Sequence, residues 1–322
     1  HISIYKIIGT FNFYNMNKIW LKVLNVFILV SIFILIFWKV GVDSIFEVLK
    51  NINLFWLIPF VVIFVGTKMI YTLNLRLLFK AIRRRISYFG LFKYFLLMNS
   101  LALFFPSKTG ELSLTLLLKK HKNFEYGEVL SVQFIDKLIT FSFYGVMAVL
   151  GLLFVFDLSQ DYTWILLATL LVLVSVFLGA WSNKVRRFIK KYFLRKYSKY
   201  FKRFSHSFKH VFKRRKKILV LNFFITAILL SGIFFGGLVA FRMFGAEVSI
   251  FHIAMIQSLI IMISLLPIPF SGLGLKEISG IYMYGLIGVP YAVSVNYFLF
   301  NILFKYAFGL VVYWTYRKKL EF

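Results

Sequence analysis

Apolar residues fall into long blocks: Val23–Val40, Leu54–Leu75, Leu91–Leu118, Val129–Phe156, Tyr162–Trp181, Ile218–Phe241, Ile250–Val289 and Tyr291–Tyr316. A block near twenty residues predicts a transmembrane helix, because about 20 helical residues cross the hydrocarbon core. Two blocks are interrupted. One breaks at Phe105-Pro106-Ser107-Lys108-Thr109-Gly110-Glu111, the other between Pro267 and Glu277, where Ser271, Gly272, Gly274 and Lys276 also lie. The arms of the first are each too short to span comfortably. Backbone groups freed at membrane depth are tolerated only inside protein or beside a wet cavity. Both blocks are therefore expected to be re-entrant helical hairpins, at 91–118 and 250–289. A single helix kinked at Pro106 is the competing arrangement for the first.

Charge orients these elements. Arg76, Lys80, Arg83, Arg84, Arg85 and Lys93 follow the second span, and Lys119, Lys120, His121 and Lys122 follow the first hairpin. Basic flanks predict the cytoplasmic side. The loop with Asp43 and Glu47, and the loop Asp157–Asp161, then lie outside. Both termini fall inside, and the second hairpin enters from the side opposite the first. A kinked full-length helix at Pro106 would put the next basic cluster outside, against this bias. Lys68 is read as snorkelling from the second span to the cytoplasmic interface.

The two halves match in order. Residues 54–156 hold a span, a broken hairpin and a span; residues 218–316 repeat the series. Interrupted segments in corresponding positions suggest the inverted repeats of transporters, with a site near the bilayer midplane. The expected fold is all-α: one polytopic membrane domain over 1–322, with about six full spans and two oppositely oriented re-entrant hairpins.

Composition agrees. The chain is 61% hydrophobic and 20% aromatic, beyond a soluble domain. A β-barrel would alternate in short segments, which this chain does not. The net charge of +28 would suggest nucleic acid in a soluble protein. Here it follows topology. Residues 182–217 carry sixteen Lys/Arg, no acid and interleaved aromatics, which predicts an amphipathic segment on an anionic inner leaflet rather than an RNA site. No cysteine is present, so disulfides and thiolate metal sites are excluded. There is no H-E-x-x-H motif and no G-x-x-x-x-G-K-[ST] loop, so neither metal nor nucleotide cofactor is expected.

The candidate path residues are Pro106, Lys108, Gly110, Glu111, Asp136, Ser271, Gly272, Gly274, Lys276, Glu277 and Lys305. Intramembrane ions are costly and serve either internal pairing or a substrate path. Half-helix N-termini suit phosphate. Lys108, Lys276 and Lys305 are placed to pair with phosphate or with Glu111, Asp136 and Glu277. Both readings stay open from the residues alone.

The motifs P-S-K-T-G-E at 106–111, the Asp136 helix after Glu128, and P-F-S-G-L-G-L-K-E at 269–277 resemble the transmembrane (flippase) region of lysylphosphatidylglycerol synthase. The resemblance covers nearly the whole chain and implies movement of phospholipid between leaflets. Ser113-Leu114-Thr115 and Gln133-Phe134 stand where the family would carry charge, and Lys305 where it would carry arginine. Nothing resembles the soluble aminoacyl-transfer domain, so a stand-alone prokaryotic member without lysyl transfer is expected. The expected function is a non-enzymatic flippase or scramblase in the prokaryotic inner membrane. Its partner is a membrane phospholipid or polyprenyl-linked lipid, anionic or glycosylated; a homodimer is left open. Two alternatives are an enzyme acting on a polyprenyl-phosphate lipid and a non-catalytic partner of a glycosyltransferase docked through 182–217. The acids are scattered singly, without a D-D-x-x-D cluster, which weighs against the enzyme.

Overall fold

A computed structural model describes residues 40–104, 107–154, 203–264 and 274–316. All regular elements among them are helices. In chain order these are α1 (Val42–Lys50), α2 (Leu57–Ala81), α3 (Tyr88–Phe104), α4 (Ser113–Lys122), α5 (Tyr126–Phe154), α6 (Phe204–Arg214), α7 (Lys216–Met243), α8 (Ile250–Ile263), α9 (Leu275–Leu286) and α10 (Tyr291–Tyr316). Short 3-10 turns at Leu54–Trp56 and Ser107–Leu112 precede α2 and α4. The protein is an all-α, polytopic membrane protein. The expected spans at 23–40 and 162–181 lie outside the described residues, apart from Val40.

Length sorts the helices. Four are apolar and long enough to cross: Leu54–Ala81, Tyr126–Phe154, Lys216–Met243 and Tyr291–Tyr316. At 1.5 Å per residue each reaches roughly 40 Å. The pairs α3/α4 and α8/α9 flank the two expected breaks. With 17, 10, 14 and 12 residues, none of these helices covers the core, which is about 30 Å thick. Large apolar side chains line the outside: Phe55, Ile58, Val62, Phe251 and Leu303 are each exposed above 60%. In water such a surface would drive association; in lipid it is solvated.

The chain does not run on through the first break. A Cβ on Gly110 would strike the backbone of Ala102, eight residues earlier. Only glycine lets the turn lie flat on α3. A straight helix kinked at Pro106 would hold those residues apart, so the chain folds back there.

The loop expected around Asp43 and Glu47 is in fact α1. Ile45 is buried beside Ile281 and Val295, and its carbonyl accepts from Asn296 Nδ2 at 3.0 Å. α2 also extends past Leu75 to Ala81. It ends with Arg83 in the left-handed region (φ 64), and the Arg84 N–H bonds the Phe79 carbonyl at 3.0 Å. That closes the helix with a Schellman-type cap.

Packing relates the two halves. α2 lies against α7, α3 against α10, and α5 against α8. Position by position, α2 and α7 run antiparallel: Ile63 faces Gly236, Thr67 faces Gly232, and Asn74 bonds Asn222 and Thr226. A two-fold that exchanges antiparallel neighbours must lie perpendicular to them. The other contacts obey the same exchange. The first short helix of each half sits on the closing long helix of the other. In one contact Gly309 meets Leu103 and Ser100; in its counterpart Gly151 meets Met255 and Leu259. Absent side chains on the long helices let the short helices approach.

Of the segment 182–217, only 203–217 is described. Within it the aromatic face of α6 turns to protein, not lipid. Phe208 and Val211 are buried in the core formed by the ends of α2 and α5 with α3 and α4. Phe134 of α5 meets both Phe204 and Phe208, with ring centroids 5.9 Å apart in each case. Lys209, Lys213 and Arg214 face outward.

Candidate substrate path between the halves

The polar groups of the first half gather on α2, α5 and the turn before α4. Glu111 Oε1 accepts from Lys137 Nζ at 3.0 Å. The Glu111 carbonyl accepts from Gln133 Nε2 at 3.0 Å, and Thr115 donates to Gln133 Oε1 at 3.1 Å. So Gln133 and Thr115, which stand where charge was expected, tie the break to α5. The carboxylate partner is Lys137, one residue beyond Asp136. Nothing in the sequence pattern singles out Lys137.

Asp136 is 1% exposed. Tyr71 donates to its Oδ2 at 2.6 Å and Asn74 to its Oδ1 at 3.3 Å. Asn74 also donates to Thr226 at 3.0 Å and accepts from Asn222 at 2.6 Å. These bonds join α5, α2 and α7. Both carboxylate oxygens are occupied by internal donors, as burial demands. Its geometry is that of a clamp between helices. The signal for it was present: Lys68, Tyr71, Asn74 on α2 and Asn222, Thr226 on α7 are polar stripes at helical spacing.

In the second half, Gly274 caps α9 with φ 91. Its N–H donates to Glu277 Oε2 at 2.6 Å. Glu277 is buried and shields its own helix start, where the carboxylate also meets the positive end of the dipole. No lysine among the described residues lies within ion-pair distance of Glu277 or Asp136. Lys276 is half-buried and Lys305 exposed. Lys305 interacts through space with Lys276 and Glu277. The Gln257 amide donates to Tyr297 at 2.8 Å, and Tyr297 stacks on Phe241 at 4.1 Å; sequence reading passed over both. Pro106, Ser271, Gly272 and the Lys108 side chain lie outside the described residues.

Lys68 corrects an expectation. It sits at the middle of the Leu54–Ala81 helix, not near its basic end. Its Nζ lies 3.5 Å from Asn99 Oδ1 on α3 and 5.1 Å from the centre of the Phe64 ring, one turn back. The side chain therefore points away from the basic flank. Phe64 in turn meets Phe304 and Phe308, at 5.0 and 5.1 Å, on the helix that carries Lys305.

At the α5 start, Glu128 is 6% exposed and takes a two-pronged bond from Arg84, at 2.9 and 3.2 Å. Arg203 joins it at 3.3 Å, and the Glu125 N–H at 3.1 Å. This cluster anchors the start of α6. His206 and His210, four residues apart on α6, stack at 6.3 Å. No group of three metal-ligating side chains occurs among the described residues.

A family model described as the lysylphosphatidylglycerol synthase TM region matches residues 20–312. The chain belongs to that family. No curated protein and no solved structure matches it. The match spans both short-helix pairs, the first three long helices and α10 as far as residue 312, and so includes both break motifs.

Proposed function

We propose that this protein carries a lipid between leaflets, passing its headgroup between the two halves while the acyl chains stay in the bilayer. The lipid is anionic or glycosylated, and no bond is made or broken. The observation that carries the reading is the meeting of ionisable side chains from both halves at mid-helix depth. Lys68 lies over Phe64, Phe64 meets Phe304 and Phe308 on the helix that carries Lys305, and Lys137 pairs with Glu111. Charged groups there are expensive without a task. The short pairs α3/α4 and α8/α9 act as re-entrant hairpins from opposite faces. Their antiparallel α2/α7 setting supports an inverted repeat. The polar roles divide. Asp136 clamps helices, Glu277 caps α9, and Glu111, Lys276 and Lys305 face the headgroup. The basic residues after α2 and α4 favour a prokaryotic cytoplasmic membrane, with those ends and both termini inside.

A phospholipid with a photoreactive group next to its headgroup tests this. Adducts on 99–112 and 276–305 are expected. Adducts confined to the outer belt around Phe55, Ile58 and Phe251 would contradict a path between the halves.

A further inference from the structure

We infer that the path selects lipids with an anionic, phosphate-bearing headgroup and disfavours aminoacylated, cationic ones, with Lys68 joining Lys305 and Lys276 to set that preference. This rests on the reading that headgroups enter between the halves.

The argument is one of unbalanced charge. Four lysines converge: Lys68 from α2, Lys137 from α5, Lys276 from α9 and Lys305 from α10. Lys68 lies over the Phe64 ring, which meets Phe304 and Phe308 on the Lys305 helix; through space Lys68 feels Lys305 and Lys137, and Lys305 feels Lys276 and the Glu277 carboxylate. Three carboxylates stand nearby, one fewer than the four ammonium groups, so the cluster keeps a net positive charge. Glu111 holds Lys137 at 3.0 Å, Glu277 accepts its own Gly274 N–H, and Asp136 accepts from Tyr71 and Asn74. Among the described residues, Lys68, Lys276 and Lys305 have no carboxylate within 4.0 Å. Lys68 has instead an amide oxygen and the faces of Phe64 and Phe95. Those hold an ammonium in place and leave its charge in excess.

A surplus of like charge at mid-helix depth is relieved by an anion. A lipid phosphate supplies oxygens that accept from several ammonium groups. An aminoacyl headgroup brings a further ammonium into the same cluster, and like charge is the repulsive element that sets specificity. The lysylated lipid in the family's description is of that second kind. This chain's balance runs the other way.

The test offers the purified full chain, in neutral detergent, equal amounts of phosphatidylglycerol, phosphatidylcholine and lysylphosphatidylglycerol. Retained lipid is counted by native mass spectrometry. Phosphatidylglycerol should exceed each of the others by about tenfold, a factor one charged hydrogen bond supplies. Lys68→Gln with Lys305→Gln should bring the ratios to within about twofold. Lys68→Arg with Lys305→Arg should keep them. If the double glutamine variant does not fold, Lys68→Gln alone decides, with a drop to about threefold. Lys213→Gln with Arg214→Gln, on the outer face of α6, should change nothing. Equal retention by the wild type, or an unchanged ratio in the Lys68 variants, overturns the inference. Lipid movement in vesicles is a separate readout. Selective retention without movement sinks the carrier reading alone. Movement without selectivity sinks this inference alone.

Discussion

Ser100 on α3 donates to the Gly309 carbonyl on α10 at 2.6 Å, seating a short helix of one half on a long helix of the other. The counterpart contact sets Gly151 of α5 against Met255 and Leu259 of α8. Gly309→Leu and Gly151→Leu should therefore cost alike, each about 1–3 kcal/mol from overpacking. Thermal unfolding in detergent reads this. Gly66→Ala, with nothing within 4 Å, should instead stabilise by about 0.5–1 kcal/mol. A large loss at only one of the two glycines would speak against equivalent halves.

Asp136 is a clamp in this account. Asp136→Ala would leave the Asn74 amide and the Tyr71 hydroxyl without their buried acceptor. A loss of about 1–3 kcal/mol follows. Tyr71→Phe should cost less, about 1 kcal/mol, because membrane hydrogen bonds average low. Melting temperature should fall more for Asp136→Ala than for Glu111→Ala. The reverse order would move Asp136 into the path.

The Glu111–Lys137 pair is about one-third exposed on each side. Its contribution to stability should be small, about 0.5 kcal/mol in a double-mutant cycle. Its effect on lipid movement should be larger, since Lys137 freed from Glu111 is one more cation for the headgroup to meet. Lys137→Gln should slow movement while leaving the melting temperature within about a degree, the reach of so small a term.

His210 gives a pH dependence. Burial, then Arg83, Arg215, Arg214 and His206, holds its imidazole below the ordinary histidine range. The unfolded chain thus takes up the proton first as pH falls. Stability is intact above the unfolded value, declines as pH drops through about 6.5, and levels off below the folded value. The difference between unfolding at pH 7.5 and at 5.5 should shrink in His210→Asn. An unchanged difference would assign the acid sensitivity elsewhere.

How much was legible depended on the range of the interaction. Pro106 with Gly110, and Pro267 through Gly274, announce breaks in any apolar run, so the short helices were placed from local chemistry. α1 is hard to tell from a loop because nine residues carry little periodic signal, although Ile45 and Leu49 lie on one face. The Lys68 direction depended on Asn99 and Phe64, and only packing brings α3 onto α2. Asn74 and Asn222, 148 residues apart, were visible as polar stripes but not as partners. The aromatic face of α6 fits lipid and protein equally by composition; only the packing of Phe208 and Val211 shows that it meets a core.

The central claim is that lipid crosses the bilayer through this protein. Vesicles reconstituted with it would carry headgroup-labelled phosphatidylglycerol in both leaflets and receive a membrane-impermeant reductant from outside. Bleaching should extend to the inner-leaflet label in vesicles with the wild type and slow markedly with Lys68→Gln plus Lys305→Gln. Bleaching limited to the outer leaflet, as in protein-free vesicles, would contradict the account.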